Sequence, residues 1–177
     1  FVIAGALLLS ASILASWALR VFERARKPAK TIGVSRSFPY FVRGAYGWLL
    51  IAAALGVYAA VADSHGGIWG ASRHSLTVGF LATMVFAIGQ RVLPAFCGMR
   101  VLYSKTLMFA SLAILNLGCL LRVASEIPAY EGNLQVAWRV LPVSAVTELG
   151  AVVLFTLNLG ITLILPPPRP TASREAM

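Results

Sequence analysis

The sequence contains few charged side chains, two histidines and two cysteines. Charged residues make up 12% of the chain and hydrophobic residues 59%, with a mean hydropathy of +0.82. A soluble domain carries about 25% charged residues, so this composition predicts an integral membrane protein. Cys97 and Cys119 lack CxxC spacing, which indicates that they act as small hydrophobic residues rather than as a redox or metal motif.

Several catalytic motifs are also missing. The chain has no HExxH, no phosphate-binding glycine loop, no CxxCH for covalent haem and no plausible Ser/His/Asp set. Hydrolase and nucleotide-driven pump activities therefore have little support. The net charge of +9 comes from basic residues in loops beside apolar segments, which indicates membrane topology rather than nucleic-acid binding. The expected surroundings are a lipid bilayer.

Five apolar stretches are long enough to cross a bilayer, which takes about 20 residues. Each should be helical, because a spanning backbone must satisfy its own hydrogen bonds. Pro39 and Pro142 fit the first turns of their helices, and Pro94 should bend or end its helix. We therefore predict an all-α bundle that forms one transmembrane domain, 1–177, with helices at about 1–19, 38–62, 74–96, 106–124 and 141–165.

The loop charges predict an orientation. Basic residues dominate the first loop, the third loop and the tail, whereas the second and fourth loops hold Asp63, Glu126 and Glu131 against Arg73 and Arg139. The positive-inside rule then places the C-terminus in the cytoplasm. We expect a multi-pass protein of the bacterial inner membrane, with both histidines at the outer face.

His74, preceded by Arg73, opens the third apolar segment and is the strongest candidate site residue. Imidazole is a common ligand of haem iron and copper. His74 could ligate a haem, bind copper together with His65, or simply bond a loop carbonyl at the interface. His65 lies in a Gly-rich loop that could fold it towards His74 or leave it in water. An α-helix would place His74 on one stripe with Thr77, Leu81, Met84, Ile88 and Arg91.

Ionisable residues in the fourth and fifth segments form a second candidate site. Arg122 and Glu126 are four residues apart and can meet on one helix face. Glu148 should lie at a similar depth, where an unpaired carboxylate is costly. These residues could form an ion pair that joins two helices. Alternatively, Arg122 or Arg73 neutralises haem propionates, while Glu148 moves protons or orients a ligand histidine.

Two further polar groups have alternative interpretations. The fifth helix carries a stripe that could pack against neighbouring helices or line a path, consisting of Ser144, Glu148, Ala151, Phe155, Asn158 and Thr162. The predicted cytoplasmic end carries a basic group that could bind a second cofactor's propionates or lipid phosphates, consisting of Arg43, Gln90, Arg91 and Arg100.

Three strings, RHSLTVGFLATMVFAIGQRVLP, LLRVASE and LPVSAVTELGAVVLFTLNL, resemble the NnrS family of polytopic haem- and copper-containing proteins linked to nitric oxide metabolism. The resemblance covers most of 38–165 and matches the C-terminal part of a protein about twice this length. It implies that His74 is a metal or haem ligand, with Arg73, Arg91 and Arg122 as companions. Where the family tends to have His-Thr-Gly-Arg, this chain has Cys97-Gly98-Met99-Arg100 after Phe96, so a second ligand histidine is missing.

Two hypotheses follow. The first is a redox subunit that binds a b-type haem through His74, with copper as a possible second metal, within a larger membrane complex. Its second axial ligand would be His65, Met84, a partner's histidine, or an exchangeable ligand such as nitric oxide or oxygen. The second is a cofactor-free accessory subunit that contacts a catalytic partner. A small transporter ranks last, because only Asn116 and Asn158 offer polar groups near the midplane.

Overall fold

The computed structural model describes residues 2–23, 37–96 and 102–165, and every regular element among them is helical. A π-helical segment joins α3 to α4, and the three pieces form one continuous span, Gly67–Pro94. The elements in chain order are α1 (Val2–Ala18), α2 (Phe38–Ala62), α3 (Gly67–His74), the π segment (Ser75–Ala82), α4 (Thr83–Phe96), α5 (Lys105–Tyr130) and α6 (Gln135–Ile164).

Four helices are long and apolar enough to cross a membrane: Phe38–Ala62, Gly67–Pro94, Lys105–Tyr130 and Gln135–Ile164. These confirm a helical membrane bundle. α1 is apolar but has 17 residues. At 1.5 Å per residue it reaches about 26 Å, slightly less than the roughly 30 Å of a bilayer's hydrocarbon core. A fifth span through α1 therefore stays a prediction.

Three predicted helix ends were wrong, and in each case the observed helix is longer than the predicted one. The third span begins at Gly67 instead of about 74, the fourth continues to Tyr130 instead of 124, and the last begins at Gln135 instead of 141. Pro142 consequently lies inside α6, although Pro39 is in the first turn of α2 as predicted. Hydropathy detects only the apolar part of each helix, whereas the helical backbone continues into the polar interface.

The helices pack largely in chain order. α1 packs on α2, α2 on the α3–π–α4 span, and that span on α5, while α6 packs on α5 and α4. Phe86 and Phe155 stack at a centroid distance of 4.2 Å, which joins α4 to α6. The largest core cluster consists of Phe86, Ala87, Met108, Leu112, Leu115 and Ala151.

The π segment keeps a line of small buried residues aligned. Ala71, Ser75, Gly79, Thr83 and Ala87 are all buried, at regular steps of four residues. In an α-helix each step of four would drift by about 40° around the axis. The wider π turn, with i→i+5 hydrogen bonds, offsets this drift. The predicted stripe from His74 to Arg91 assumed α-helical spacing throughout, whereas the turn is π-helical over Ser75–Ala82.

Two short loops, 63–66 and 131–134, lie together at one end of the bundle. Glu131 joins them by accepting hydrogen bonds from the backbone N–H groups of Ser64, His65 and Gly67 at 3.0–3.2 Å. Although desolvation alone would raise its pKa, these donors outweigh it and lower the pKa of Glu131 to about 2. We call this the Glu131 end.

The predicted orientation rests mainly on residues outside the described ranges, namely Arg24, Arg26, Lys27, Lys30, Arg36, Arg100, Arg169 and Arg174. Cys97, at the departure from the NnrS pattern, also lies outside them. The loops 63–66 and 131–134 lie at the same end of the bundle, as the predicted topology requires.

Candidate functional site

Four ionisable side chains meet near the Glu131 end, and we call them the charged cluster: His74, Arg122, Glu126 and Glu148. His74 ends α3, Arg122 and Glu126 lie one turn apart on α5, and Glu148 comes from α6. Glu126 Oε2 lies 3.8 Å from His74 Nδ1 and 3.5 Å from Arg122 Nε. One carboxylate therefore contacts both the imidazole and the guanidinium.

Two glycines make room for the carboxylates. A Cβ added at Gly118 of α5 would lie 2.6 Å from Glu148 Cγ and 3.2 Å from Glu148 N. A Cβ at Gly70 of α3 would overlap the carboxylate of Glu126. Glu126 and Glu148 thus lie directly against the backbones of neighbouring helices, and no larger residue fits at positions 70 and 118 without a shift.

Three buried atoms of the charged cluster have no hydrogen-bond partner among the described residues: Arg122 Nε, Glu126 Oε2 and Glu148 Oε1. The ion-pair contact of Arg122 with Glu126 lacks hydrogen-bond geometry. A buried polar atom left without a partner costs about 1–3 kcal/mol, more if it is charged. Native structures tolerate such atoms at few places, and functional sites are among them.

His74 has a defined orientation and a partly open position. Its side chain is 30% exposed, and Nδ1 faces Glu126. The 3.8 Å separation is longer than a direct hydrogen bond. The His74 carbonyl accepts a weak hydrogen bond from the Cys119 thiol, with Sγ 3.8 Å from the oxygen. The π segment begins at the next residue, and π turns often occur at functional sites.

The family of the chain is shown by comparison with known proteins. The model of a family described as a domain of unknown function (DUF8744) matches residues 1–159. The chain belongs to the DUF8744 family. No curated protein and no solved structure matches it. The DUF8744 match contains the whole charged cluster, and the resemblance to NnrS stays a prediction.

Within the DUF8744 domain, the structure brings together some of the predicted site residues. His74, Arg122 and Glu148 join Glu126 in the charged cluster, as the i,i+4 spacing and the predicted depth of Glu148 suggested. The functional roles assigned to these residues stay predictions. Gly70 and Gly118 were missed, because a glycine reveals a close contact only when the neighbouring helix is known.

The other predicted site residues have different neighbours. His65 Nδ1 lies 3.5 Å from Glu131 Oε2, so the two histidines contact different carboxylates. The Arg73 guanidinium lies over the ring of Trp69, 5.2 Å from its centroid. The Arg91 guanidinium is 5.2 Å from the centroid of Phe38.

A second polar group lies at the opposite end of α5, and we call it the amide network: Gln90, Ser104, Ser111 and Asn158. Asn158 donates to Gln90 Oε1 at 2.7 Å and accepts from the Ser104 backbone N–H at 3.1 Å. Gln90 donates to Ser111 Oγ at 3.2 Å. The packing interpretation of Asn158 fits these contacts. Grouping Gln90 with the arginines was wrong, because its side chain is fully buried in this network.

A third, smaller polar contact lies between these two groups. Asn116 accepts a hydrogen bond from Trp48 Nε1 at 2.9 Å and donates to Thr83 Oγ1 at 3.3 Å and to the Leu112 carbonyl at 2.8 Å. Its amide therefore joins α2, α4 and α5. This set of contacts supports helix packing rather than a transport path at the position of Asn116.

Proposed function

We propose that the chain is a membrane redox subunit that binds a b-type haem through His74, similar to part of an NnrS protein. The observation that supports this most is the position of Glu126 behind the imidazole. Metal-binding histidines usually direct one ring nitrogen to a carboxylate or carbonyl, which fixes the ring and leaves the other nitrogen for the metal. Here Nδ1 faces Glu126 Oε2 at 3.8 Å, so Nε2 is the nitrogen assigned to iron.

The arrangement fits a haem held by one histidine of this chain. The His74 side chain is 30% exposed, which gives a ligand access to the imidazole. Arg73 is exposed one residue earlier, and its guanidinium would neutralise a propionate. Arg122 supplies a second positive charge beside Glu126. When bound, the haem supplies a one-electron redox centre whose potential the surrounding charges adjust.

A copper site does not fit the described residues of this chain alone. Among them no group of three or more His, Cys, Asp or Glu side chains is placed to hold a metal ion. His65 and His74 contact separate carboxylates, so a shared copper would require both to rearrange. We therefore propose that a second haem ligand would come from a partner subunit's histidine or from an exchangeable gas such as nitric oxide or oxygen.

The proposal includes a topology. α1 crosses the membrane as the fifth span, the Glu131 end faces outwards, and the C-terminus lies in the cytoplasm of a bacterial cell. The excess of basic residues in the first loop, the third loop and the tail supports this orientation. Tyr130 and Trp138, whose rings are 4.7 Å apart, lie near the Glu131 end, where interfacial aromatic residues are expected.

Reduced-minus-oxidised optical spectra of four proteins test the proposal: the wild type, His74→Ala, His65→Ala and Glu126→Gln, each purified from membranes with its partners bound. We expect a b-type band that His74→Ala removes and His65→Ala preserves. Glu126→Gln should keep the band and raise the midpoint potential, because the carboxylate behind His74 stabilises the oxidised form. A folded wild-type complex without the band would overturn the proposal.

A cofactor-free accessory subunit is the second candidate function. The contact of His74 with Glu126, which joins α3 to α5, and the position of Glu148 against Gly118, where α6 meets α5, favour it, because both can serve helix packing. In that case His74→Ala would change the amount of assembled complex at most. Spectra and complex yield from the same preparations distinguish the two functions.

A further inference from the structure

An open groove runs between α1 and α2, away from the charged cluster. It has a volume of about 390 Å³, and apolar side chains including Ile13, Trp17 and Leu50 line it. Arg20 and Glu23 lie at one end of the groove. Trp17 is 76% exposed at the last turn of α1, a position typical of tryptophans at the membrane interface. Apolar side chains therefore line most of the groove, and Arg20 and Glu23 form a charged rim at one end.

The rim is formed by the turn that ends α1. The Arg20 N–H bonds the Trp17 carbonyl at 3.0 Å, and the Val21 N–H bonds the Ser16 carbonyl at 3.2 Å. This is a Schellman motif, in which glycine is the usual residue at the left-handed position. Here Arg20 occupies that position, with φ of 51°. A guanidinium thus lies at the rim where the backbone alone would favour glycine.

The charge at this rim is positive. Arg20 Nε is 3.8 Å from Glu23 Oε1, and the Arg20 side chain is 68% exposed, so its donors remain accessible. Arg43 adds a second guanidinium that donates to the Val21 and Glu23 carbonyls at 3.1 and 2.7 Å.

We propose that this groove binds one anionic phospholipid, with an acyl chain along Ile13, Trp17 and Leu50 and the phosphate at Arg20. The excess positive charge of the rim favours an anionic over a zwitterionic headgroup. A basic residue near the membrane surface contributes about a fivefold preference for anionic lipid. The site is independent of the haem proposal, because none of its residues belongs to the charged cluster.

Quenching of Trp17 fluorescence tests this site. The full chain is placed in phosphatidylcholine vesicles that contain phosphatidylglycerol, with bromine on the acyl chains of one lipid at a time. The Trp17→Phe variant is measured in parallel, so that the Trp17 signal is obtained by difference. We expect brominated phosphatidylglycerol to quench Trp17 several-fold more strongly than brominated phosphatidylcholine at equal mole fraction.

Four variants make the test specific. Arg20→Gln should reduce the preference about fivefold, and Arg20→Lys should retain most of it. Arg20→Gly suits the left-handed backbone, so it keeps the turn while removing the guanidinium, and it should behave like Arg20→Gln. Arg139→Gln removes an exposed basic residue near the opposite end and should change nothing. Equal quenching by the two lipids, or an unchanged preference in Arg20→Gly, would overturn the proposal.

Discussion

The charged cluster and the amide network both join α5 to its neighbours, but they differ in how many of their buried polar atoms have hydrogen-bond partners. In the amide network, Gln90 and Asn158 are fully buried, and their side-chain oxygens and nitrogens have partners within 2.7–3.2 Å. In the charged cluster, Arg122 Nε, Glu126 Oε2 and Glu148 Oε1 are buried without hydrogen-bond partners among the described residues. The first group satisfies its own polar atoms, whereas the second does not.

Under the haem proposal, this difference separates a structural role from a functional one. A neutral, fully hydrogen-bonded network contributes to helix association. Removing any one of its side chains leaves a buried hydrogen-bond partner unpaired. A buried ion pair is weak evidence for stability, so an incompletely paired cluster of ionisable groups is a candidate for another role. Variants in the amide network should therefore reduce stability, whereas under the haem proposal variants of the charged cluster should mainly change haem binding.

Asn158→Leu should have the largest effect on stability. The change leaves the buried Gln90 Oε1 and the part-buried Ser104 N–H without partners, and we expect a loss of about 2–4 kcal/mol in the free energy of unfolding. Titration from a mild detergent into sodium dodecyl sulfate measures this quantity. Thr156→Leu, an exposed position two residues away, is the matched control and should be neutral. Equal losses in both variants would mean that the network does not stabilise the bundle.

Gly118→Ala should have the next largest effect, because it disturbs the charged cluster through packing rather than charge. The new methyl group would approach both the side chain and the backbone of Glu148, so α5 and α6 must separate slightly. We expect a loss of about 1–3 kcal/mol.

Gly150→Ala on α6 controls for the helix propensity of alanine. No atom lies within 4 Å of a Cβ added there, so this change should be neutral or stabilise by up to about 1 kcal/mol. If the two alanine variants unfold at the same denaturant concentration, the close packing of Glu148 on Gly118 is incorrect.

The sequence predicted the two polar groups unequally. The spacing of Arg122 and Glu126 and the depth of Glu148 were enough to place these residues together, because both arguments depend only on helix geometry. The amide network depends on which helices are neighbours. Gln90 could not be assigned to it, since the α4–α6 contact has no local sequence signal. The four long membrane-spanning helices were predictable from hydropathy, whereas a fifth span through the short α1 stays a prediction.

Helix ends and the π segment were harder to predict. Interrupted apolar patterns end the hydropathy signal early, so residues 67–73 of α3 and 135–140 of α6 were missed. A π turn leaves no distinct composition, and the run SLTVGFLA reads equally well as an α-helix. Only the buried small residues at steps of four, from Ala71 to Ala87, offered a signal.

Glu131→Gln should have a smaller effect on stability, and one that depends on pH. Glu131 lies at the same end of the bundle as the charged cluster, but its carboxylate accepts several hydrogen bonds. The pKa of Glu131 falls from its ordinary value of 4.5 to about 2 on folding. Its contribution is therefore complete above about pH 4.5 and lost as the pH falls towards 2. The wild type should have the higher Tm at pH 7, and the difference should disappear by pH 2. A Tm difference that does not change with pH would contradict this assignment.

Glu148→Gln should have the smallest effect on stability and gives the sharpest contrast with Asn158→Leu. The substitution keeps the volume beside Gly118 and replaces a carboxyl group that has a buried, unpaired oxygen with a neutral amide. A neutral amide is less costly to bury than a carboxylate, so we expect unfolding within about 0.5 kcal/mol of the wild type, or a small gain. The same detergent titration measures the free energy of unfolding. A loss as large as that of Asn158→Leu would show that Glu148 stabilises the packing of α6 on α5. The charged cluster would then be a second packing network, and the accessory-subunit function would be favoured over haem binding.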